Sequence, residues 1–275
     1  MFKKSKNEVI WKSISQKRIL RMINNPEKFK NVKLIVDGSL DLSGYTQLTS
    51  LPKSLQVNGS LSLSGCVNLT SLPENLEVNG CINLSDCKGL TLLPENLDIE
   101  GCLDLSECSE LVSLPENLIV PGHLMLTGCK KLTGLPNRLI VGGNLNLEKC
   151  YWINSLPEVL RIGQDLILNG CSGLTALPEK IEVNGFIILD NLTGLTSISQ
   201  QINVGGVVHI NIFNKKSGLK EIKQCLEVGS QTDLMTWENT EISSFSDELN
   251  DVFIPVELYR FNDCPLLAED SMLRI

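Results

Sequence analysis

Three side chains that together suit a cysteine hydrolase stand at equal spacing in this chain. Cys102, His123 and Asn144 follow one another at intervals of 21 residues. A thiolate attacks an acyl carbon efficiently when an imidazole takes its proton and an amide orients that imidazole. Cys81 and Asp104 fall in the same pattern, and thiols, imidazole and carboxylate are also zinc ligands. Two chemical hypotheses follow, a thiol hydrolase and a zinc-binding protein.

The spacing of these residues belongs to a repeat that runs along most of the chain. A Leu-Pro pair recurs every 21 residues for seven copies, and Ile198 takes the next Leu position without its proline. The pairs are Leu51-Pro52, Leu72-Pro73, Leu93-Pro94, Leu114-Pro115, Leu135-Pro136, Leu156-Pro157 and Leu177-Pro178. A fixed period of this length is typical of a solenoid, in which each coil contacts only its neighbours.

Within one copy, apolar and polar residues alternate with the period of a β-strand. Leu76, Val78, Ile82 and Leu84 are the apolar positions, with a turn at Asn79-Gly80. We predict one short strand per coil, from Cys81 to Ser85 in this copy, stacked in parallel about 4.8 Å from its neighbours. The proline that follows each last leucine excludes a long helix, so the outer side is predicted to be extended or a tight turn.

Two columns of small residues repeat with the same period. Glycine recurs at 38, 59, 80, 101, 122, 143, 185 and 206, which indicates positive φ or a close backbone approach. Gln164 interrupts this column, and Gly163 is expected to substitute for it one residue earlier. Cysteine recurs at 66, 87, 108, 129, 150 and 171. Bulky apolar residues replace it at the ends of the array, so we predict buried thiols that donate to a loop carbonyl inside the coil.

The segment L-x-L-x-x-C-x-x-L, carried by Leu61, Leu63, Cys66 and Leu69 and by each later copy, resembles the leucine-rich-repeat family. The Leu-Pro that follows resembles a short bacterial subtype found in effectors of intracellular pathogens. The resemblance is clear over about 34–213 and weak over 219–267. It implies a horseshoe with a parallel β-sheet on its concave face, and binding of another protein there. The ubiquitin-ligase domain of some relatives has no counterpart in the short tail, so no enzymatic activity is expected.

Three regions follow from the repeat and its ends. Residues 1–33 are predicted to be a short helical cap, because Asn7–Asn25 combines apolar residues at roughly helical spacing with several basic ones. Binding of this segment to a membrane surface is the alternative. Residues 34–213 are predicted to form nine 21-residue leucine-rich repeats. Residues 214–275 are predicted to be diverged repeats and a C-terminal cap.

A partner-binding surface is predicted on the concave strands of the later coils. If Leu61 and Leu63 point inward, Ser60, Ser62 and Ser64 point outward, and the same rows become more apolar further along the chain. Exposed apolar residues ringed by carboxylates are typical of an interface, and adjacent aromatics are good anchors. The predicted partner-binding residues are Met125, Glu148, Tyr151, Trp152, Asp165, Ile167, Phe186, Ile188, Asp190 and His209. By contrast, an open strand offers Cys102 no oxyanion donors, so we expect an ordinary polar surface residue there.

Charge and composition narrow the functional classes. Residues 1–33 hold ten Lys or Arg against two Glu, a net charge of +8, so the remaining chain carries −16 of the total of −8. An acidic solenoid disfavours nucleic-acid binding and favours a protein partner with a basic patch. The sequence has no run of about 18 apolar residues and no signal peptide. We therefore predict a non-catalytic binding protein without cofactor or metal, monomeric when free. It would be cytoplasmic or translocated into a host cytosol. The resemblance implies a virulence effector that inhibits or regulates a host protein or another bacterial protein by covering a functional surface.

Overall fold

The chain folds as a repeat solenoid of parallel β-strands. A computed structural model describes the whole of 33–178 and 180–196, together with the backbone of 8–11, 202–204, 208–210 and 235–236. Equivalent strands lie 21 residues apart through most of this stretch, as when Leu40 pairs with Leu61 and Leu61 with Ile82. Within these ranges there is no helix.

The first strand of each coil lies before the position of the glycine that recurs every 21 residues. These strands are β1 Glu8–Trp11, β2 Lys33–Val36, β4 Ser54–Val57, β6 Asn75–Val78, β8 Asp98–Ile99, β10 Ile119–Val120, β12 Ile140–Val141, β14 Val159–Ile162, β16 Lys180–Val183 and β18 Ile202–Val204. They form two five-stranded parallel stacks, β1-β2-β4-β6-β8 and β10-β12-β14-β16-β18. We call both stacks together the first side of the solenoid.

The second strand of each coil follows the glycine. These strands are β3 Leu40–Asp41, β5 Leu61–Ser62, β7 Ile82–Asn83, β9 Leu103–Asp104, β11 Leu124–Met125, β13 Leu145–Asn146, β15 Leu166–Ile167, β17 Ile187–Ile188, β19 Val208–Ile210 and β20 Met235–Thr236. They form one ten-stranded parallel sheet, which we call the second sheet. The last pairing joins His209 to Met235, so the 21-residue register lengthens there.

The prediction of one strand per coil is wrong, because each coil has two. The segment predicted to be an extended outer side includes a strand of its own, such as Asn75–Val78. Its Leu76 and Val78 alternate with exposed or half-buried polar residues, so they satisfy the strand period on that side as well. The bend at Asn79-Gly80 then turns the chain into the second strand.

The core is an aliphatic column enclosed by the coils. The inward apolar positions of both strands and most of the leucines before the prolines contribute to one continuous cluster of buried residues, against which the partly buried Leu135 and Leu156 pack. In one coil these are Leu76, Val78, Ile82, Leu84 and Leu90, all essentially inaccessible to solvent. Stacking extends the cluster from coil to coil, since a single coil has no second layer on which to bury its apolar face.

A second periodic position, at the corner after the second strand, requires left-handed backbone. Positive φ occurs at Gly44, Gly65, Asp86, Glu107, Gly128, Lys149, Gly170 and Asn191, each 21 residues from the next. Among the described glycines of the column recognised from the sequence, only Gly38 has a positive φ. The left-handed requirement therefore lies six residues after the column that suggested it.

The N-terminal segment begins differently from the prediction. Residues 8–11 form strand β1, which pairs in parallel with β2, whereas the sequence predicted a helix over Asn7–Asn25. The rest of the predicted cap lies outside the described residues, as do most of 214–275. Among the residues that the structure does describe, no helix is long and apolar enough to cross a membrane.

Candidate functional site

The residues that suggested catalysis form a hydrogen-bonded row along the second sheet. Each accepts a hydrogen bond from the backbone N–H of the residue 21 positions later, in the next coil. The row, which we call the acceptor row, runs through Ser39, Ser60, Cys81, Cys102, His123, Asn144 and Asp165, with donor–acceptor distances of 3.0, 3.1, 3.1, 3.3, 2.9, 2.9 and 2.9 Å. The backbone N–H of Phe186 donates the last of these bonds. The row ends there because the phenyl side chain has no oxygen, nitrogen or sulfur atom to accept the next one.

The residue types of this row have a common chemical property. Hydroxyl, thiol, imidazole Nδ1 and carboxylate or amide oxygen all place an acceptor two or three bonds from Cα. That reach is enough to lie against the backbone of the adjoining coil. A column of Ser, Cys, His, Asn and Asp is therefore explained by one repeated backbone contact, without a shared reaction.

The glycine column exists to make room for the acceptor row. A Cβ on Gly101 would lie 2.7 Å from Cys81 Sγ, and one on Gly122 would lie 2.7 Å from Cys102 Sγ. The close approach predicted from the sequence is thus confirmed, with the row side chain as the obstacle. Gly163 does not substitute for Gln164 as expected, because its own close contact is with the carbonyl oxygen of Gly142.

Cys102, His123 and Asn144 are brought together on adjacent coils, and their acceptors all face backbone amides. His123 Nδ1 accepts from the N–H of Asn144, so the ring hydrogen is carried on Nε2. Cys102 is 1% exposed, in contrast to the surface residue that the sequence predicted. Asn144 is fully buried, and its Nδ2 has no hydrogen-bond partner. Within the described residues, no three His, Cys, Asp or Glu side chains are grouped so as to hold a metal ion.

The neighbouring row of the second sheet is more buried than predicted. It runs through Asp41, Ser62, Asn83, Asp104, Met125, Asn146, Ile167 and Ile188. We expected Met125 and Ile167 to be displayed, and this is wrong: Met125 is buried and Ile167 is completely inaccessible. Side chains of one row stand about 4.8 Å apart and cover one another. Ile167 lies between Asn146 and Ile188 on the paired strands.

Polar members of this row cap the turn that follows them. The side-chain oxygens of Asp41, Asn83, Asp104 and Asn146 each accept from the backbone N–H two residues later. Asp104 does so as a nearly buried carboxylate, and burial raises its pKa. Its hydrogen bonds with Ser106 oppose that effect, while the nearby Asp86 adds to it.

The periodic thiols form an internal ladder, as predicted. Each Sγ–H donates to the carbonyl of a leucine 24 residues earlier, in the adjoining coil, over 3.0–3.2 Å. The donors are Cys66, Cys87, Cys108, Cys129, Cys150 and Cys171, all completely buried. Burial raises the pKa of every one of these thiols, that of Cys108 and of Cys150 to about 12. They remain protonated donors at neutral pH.

The accessible members of the predicted partner site lie along the two long edges of the second sheet, by which we mean the lines where its strands begin and where they end. Trp152 is 67% exposed and Tyr151 44%, and both follow the turn at the carboxyl end of β13. Phe186, 40% exposed, precedes β17 at the opposite edge. Glu148, Ile188 and Asp190 are half-buried between these edges. Asp165 is buried in the acceptor row, which removes it from any docking surface. The side chain of His209 lies outside the described residues.

Glu148 and Lys149 bring opposite charges to the edge that carries the two aromatics. Lys149 Nζ lies 2.8 Å from Glu148 Oε1, and that hydrogen bond raises the pKa of the lysine. Both groups are partly solvated, so this pair contributes little to stability.

Sequence reasoning missed an apolar patch on the first side. Ile119 and Ile140 are each 53% exposed, and Val159 is 43% exposed. The available signal was alternation within the first strand of the coil. There Ile119 and Ile140 occupy the outward position that Glu77 and Asp98 hold in earlier copies. It was overlooked because no strand was assigned to that side.

Comparison with protein-family models, with characterised proteins and with solved structures gives no match to this chain. The geometry of the solenoid is therefore the basis for any functional interpretation.

Proposed function

We propose that the protein is a non-catalytic binding module that docks another protein along the exposed edges of its second sheet. The observation that carries the proposal is the exposure of Trp152, a large apolar side chain, beside Tyr151 on a corner of a rigid solenoid. Burying one such aromatic side chain removes a large apolar area from water. Trp and Tyr are also the residues most often found at the centre of protein interfaces.

The expected partner has a basic patch. The half-buried carboxylates of Glu148 and Asp190 lie beside the accessible apolar residues, and the chain as a whole is acidic. Charge complementarity mainly accelerates association and selects the partner, so capture should weaken as salt increases. A preformed sheet loses little conformational entropy on docking, which favours affinity from a modest surface.

The likeness of the repeat to leucine-rich repeats supports the finer part of the proposal. A horseshoe curvature, with the second sheet as its concave face, would place both aromatic edges around one partner. A bacterial effector that inhibits its target by covering a functional surface is the corresponding role. The packing of Cys102, His123 and Asn144 against backbone amides favours this binding role over a thiol hydrolase.

The decisive variant is Trp152→Ala combined with Phe186→Ala. Both side chains are exposed, so the fold should persist, as checked by circular dichroism and thermal unfolding. Affinity capture from bacterial and host-type lysates should lose at least one protein that the wild type retains, with a drop in affinity of about tenfold or more. Leu92→Ala with Val112→Ala is the matched control, because it removes comparably exposed apolar side chains from the segments that precede the Leu-Pro pairs. An unchanged set of captured proteins with the aromatic variant would reject the placement of the site.

A further inference from the structure

The exposed isoleucines on the first side form a contiguous pair. Ile119 and Ile140 are register partners on β10 and β12, so their outward side chains are direct neighbours about 4.8 Å apart. Each is 53% exposed, while Val159 on the next strand is 43% exposed. Apolar side chains grouped in this way at solvent-facing strand positions mark an interaction surface.

Charges of opposite sign flank this pair along the axis of the solenoid. At intervals of 21 residues, the outward row of the first side runs through Glu77, Asp98, Ile119, Ile140, Arg161 and Glu182. Asp98 lies on β8, the last strand of one stack, and Ile119 lies on β10, the first strand of the other. Asp98 is one strand before the isoleucines, and Arg161 is one strand after them. Arg161 is well exposed even while its Nε donates to Glu182 Oε2 at 2.7 Å. Next to the apolar centre the row is acidic on one side and basic on the other, and a glutamate, Glu77 or Glu182, lies at each end of it.

We propose that a second copy of this chain docks on this face, with the two solenoid axes antiparallel. A twofold axis between the facing sheets, parallel to their strands, exchanges the two halves of the row. It sets Ile119 against Ile140 of the other copy, and Asp98 against Arg161 of the other copy. Such an interface uses the same surface on both subunits, and each opposite-charge contact occurs twice.

The charges select this orientation over the parallel one. With parallel axes, Asp98 would face a second Asp98 and Arg161 a second Arg161. Like charges placed opposite one another disfavour docking, whereas the antiparallel arrangement pairs each Asp98 with an Arg161. Glu77 and Glu182 face a glutamate in either arrangement, so they do not distinguish the two orientations. The arrangement is independent of the aromatic edges proposed above to bind another protein, since they lie on the second sheet.

The size of the face indicates reversible association. Six strands of two to four residues, at about 4.8 Å per strand and about 3.3 Å per residue, give a patch smaller than the roughly 800 Å² per partner of a standard interface. A dimer that forms on raising the protein concentration is therefore expected. The isoleucine pair would supply most of its affinity, and the two ion pairs its orientation.

Sedimentation equilibrium of the full chain over a wide concentration range, at low salt, is the first test. The mean mass should rise from 30.3 kDa towards twice that value. Ile119→Asn with Ile140→Asn should raise the dissociation constant of the dimer at least about tenfold without lowering the thermal stability of the monomer. Trp152→Ala, which removes an even more exposed side chain from the turn after β13, should leave the dimer unchanged. A wild-type chain that stays monomeric at every concentration overturns the proposal. So does an isoleucine variant that loses thermal stability as a monomer, which would mean that the chain covers this face itself.

Charge exchange tests the orientation. Asp98→Arg alone and Arg161→Asp alone should each be monomeric, because each brings like charges together twice. Mixing the two variants should restore a dimer, and so should the double exchange Asp98→Arg with Arg161→Asp in one chain. Failure of the double exchange, in a variant that remains folded, would reject the antiparallel arrangement.

Discussion

At the scale of single residues, Asp104 shows how the solenoid tolerates a buried carboxylate. Its Oδ1 accepts the backbone N–H of Ser106 at 2.8 Å, the same bond that Asn83 and Asn146 make in other coils. Neutral asparagine therefore suffices for the turn. The charge of Asp104 adds a desolvation penalty, which raises its pKa.

Asp104→Asn should accordingly stabilise the protein at neutral pH. An acid whose pKa is higher in the folded state binds protons more tightly there, so ionisation destabilises the fold as pH rises through that pKa. The gain from the substitution should be absent below about pH 3.9, the ordinary pKa of aspartate, and should grow as the pH rises towards the raised pKa of the folded protein. Urea unfolding at several pH values measures this dependence. Asp41→Asn is the control, since Asp41 makes the same bond while only half-buried and should gain less. A pH-independent gain for Asp104→Asn would contradict the proposed cause.

At the scale of elements, the acceptor row and the glycine column form one device that links adjacent coils. A side chain of one coil occupies the space that a Cβ of the next coil would need, and accepts an N–H beside it. The bond and the glycine depend on each other. Without the side-chain acceptor, a backbone N–H of the second sheet loses its partner. Without the glycine, a Cβ collides with that side chain and the coils must separate.

Gly101→Ala should therefore destabilise the fold by roughly 1–3 kcal/mol, as overpacking does. Its Cβ would lie 2.7 Å from Cys81 Sγ and 2.8 Å from the backbone carbon of Gly80, so the backbone must move. Gly134→Ala is the matched control, because the nearest atom to its Cβ is 3.8 Å away and its φ is ordinary. That change should be neutral or stabilise by about 0.4–1 kcal/mol. Equal effects of the two substitutions on chemical denaturation would show that steric exclusion is not the reason for the column.

At the scale of the whole molecule, one cluster of aliphatic side chains and thiols extends through every fully described coil. In a solenoid of this kind, stability is close to a sum of coil energies and of interfaces between adjoining coils. The thiol ladder and the acceptor row both belong to those interfaces. Coils should therefore open with their neighbours, and their cysteines should become accessible together.

Thiol labelling measures this opening directly. The eight described cysteines, of ten in the chain, are buried, so they should resist a thiol reagent in the native protein and react on denaturation. The raised pKa values of Cys108 and Cys150 further suppress the reactive thiolate. Peptide mapping of the labelled sites separates Cys102 from the rest. Rapid native labelling of Cys102 would contradict its structural role and favour the thiol-hydrolase hypothesis.

Sequence periodicity alone predicted the solenoid, the parallel stacking and the buried thiols with their carbonyl partners. These features depend on contacts between identical positions of adjacent copies, so a constant spacing of 21 residues is enough to place them. The number of strands per coil did not follow, because a short alternating segment before a bend reads equally well as an extended connection. The helix predicted for the N-terminus failed at 8–11 for a related reason. Pairing with β2 determines the conformation of 8–11, and the local spacing of apolar residues carries no information about that pairing.

Only the tertiary structure decided what the row of Cys102, His123 and Asn144 does. From the sequence, three such side chains at equal spacing are compatible with chemistry, with metal binding or with solvent exposure. Stacking the coils brings the next backbone N–H within about 3 Å of each side-chain acceptor, and a buried amide must be satisfied. The same stacking hides Ile167 and displays Ile119 and Ile140, because exposure depends on which neighbours cover a side chain.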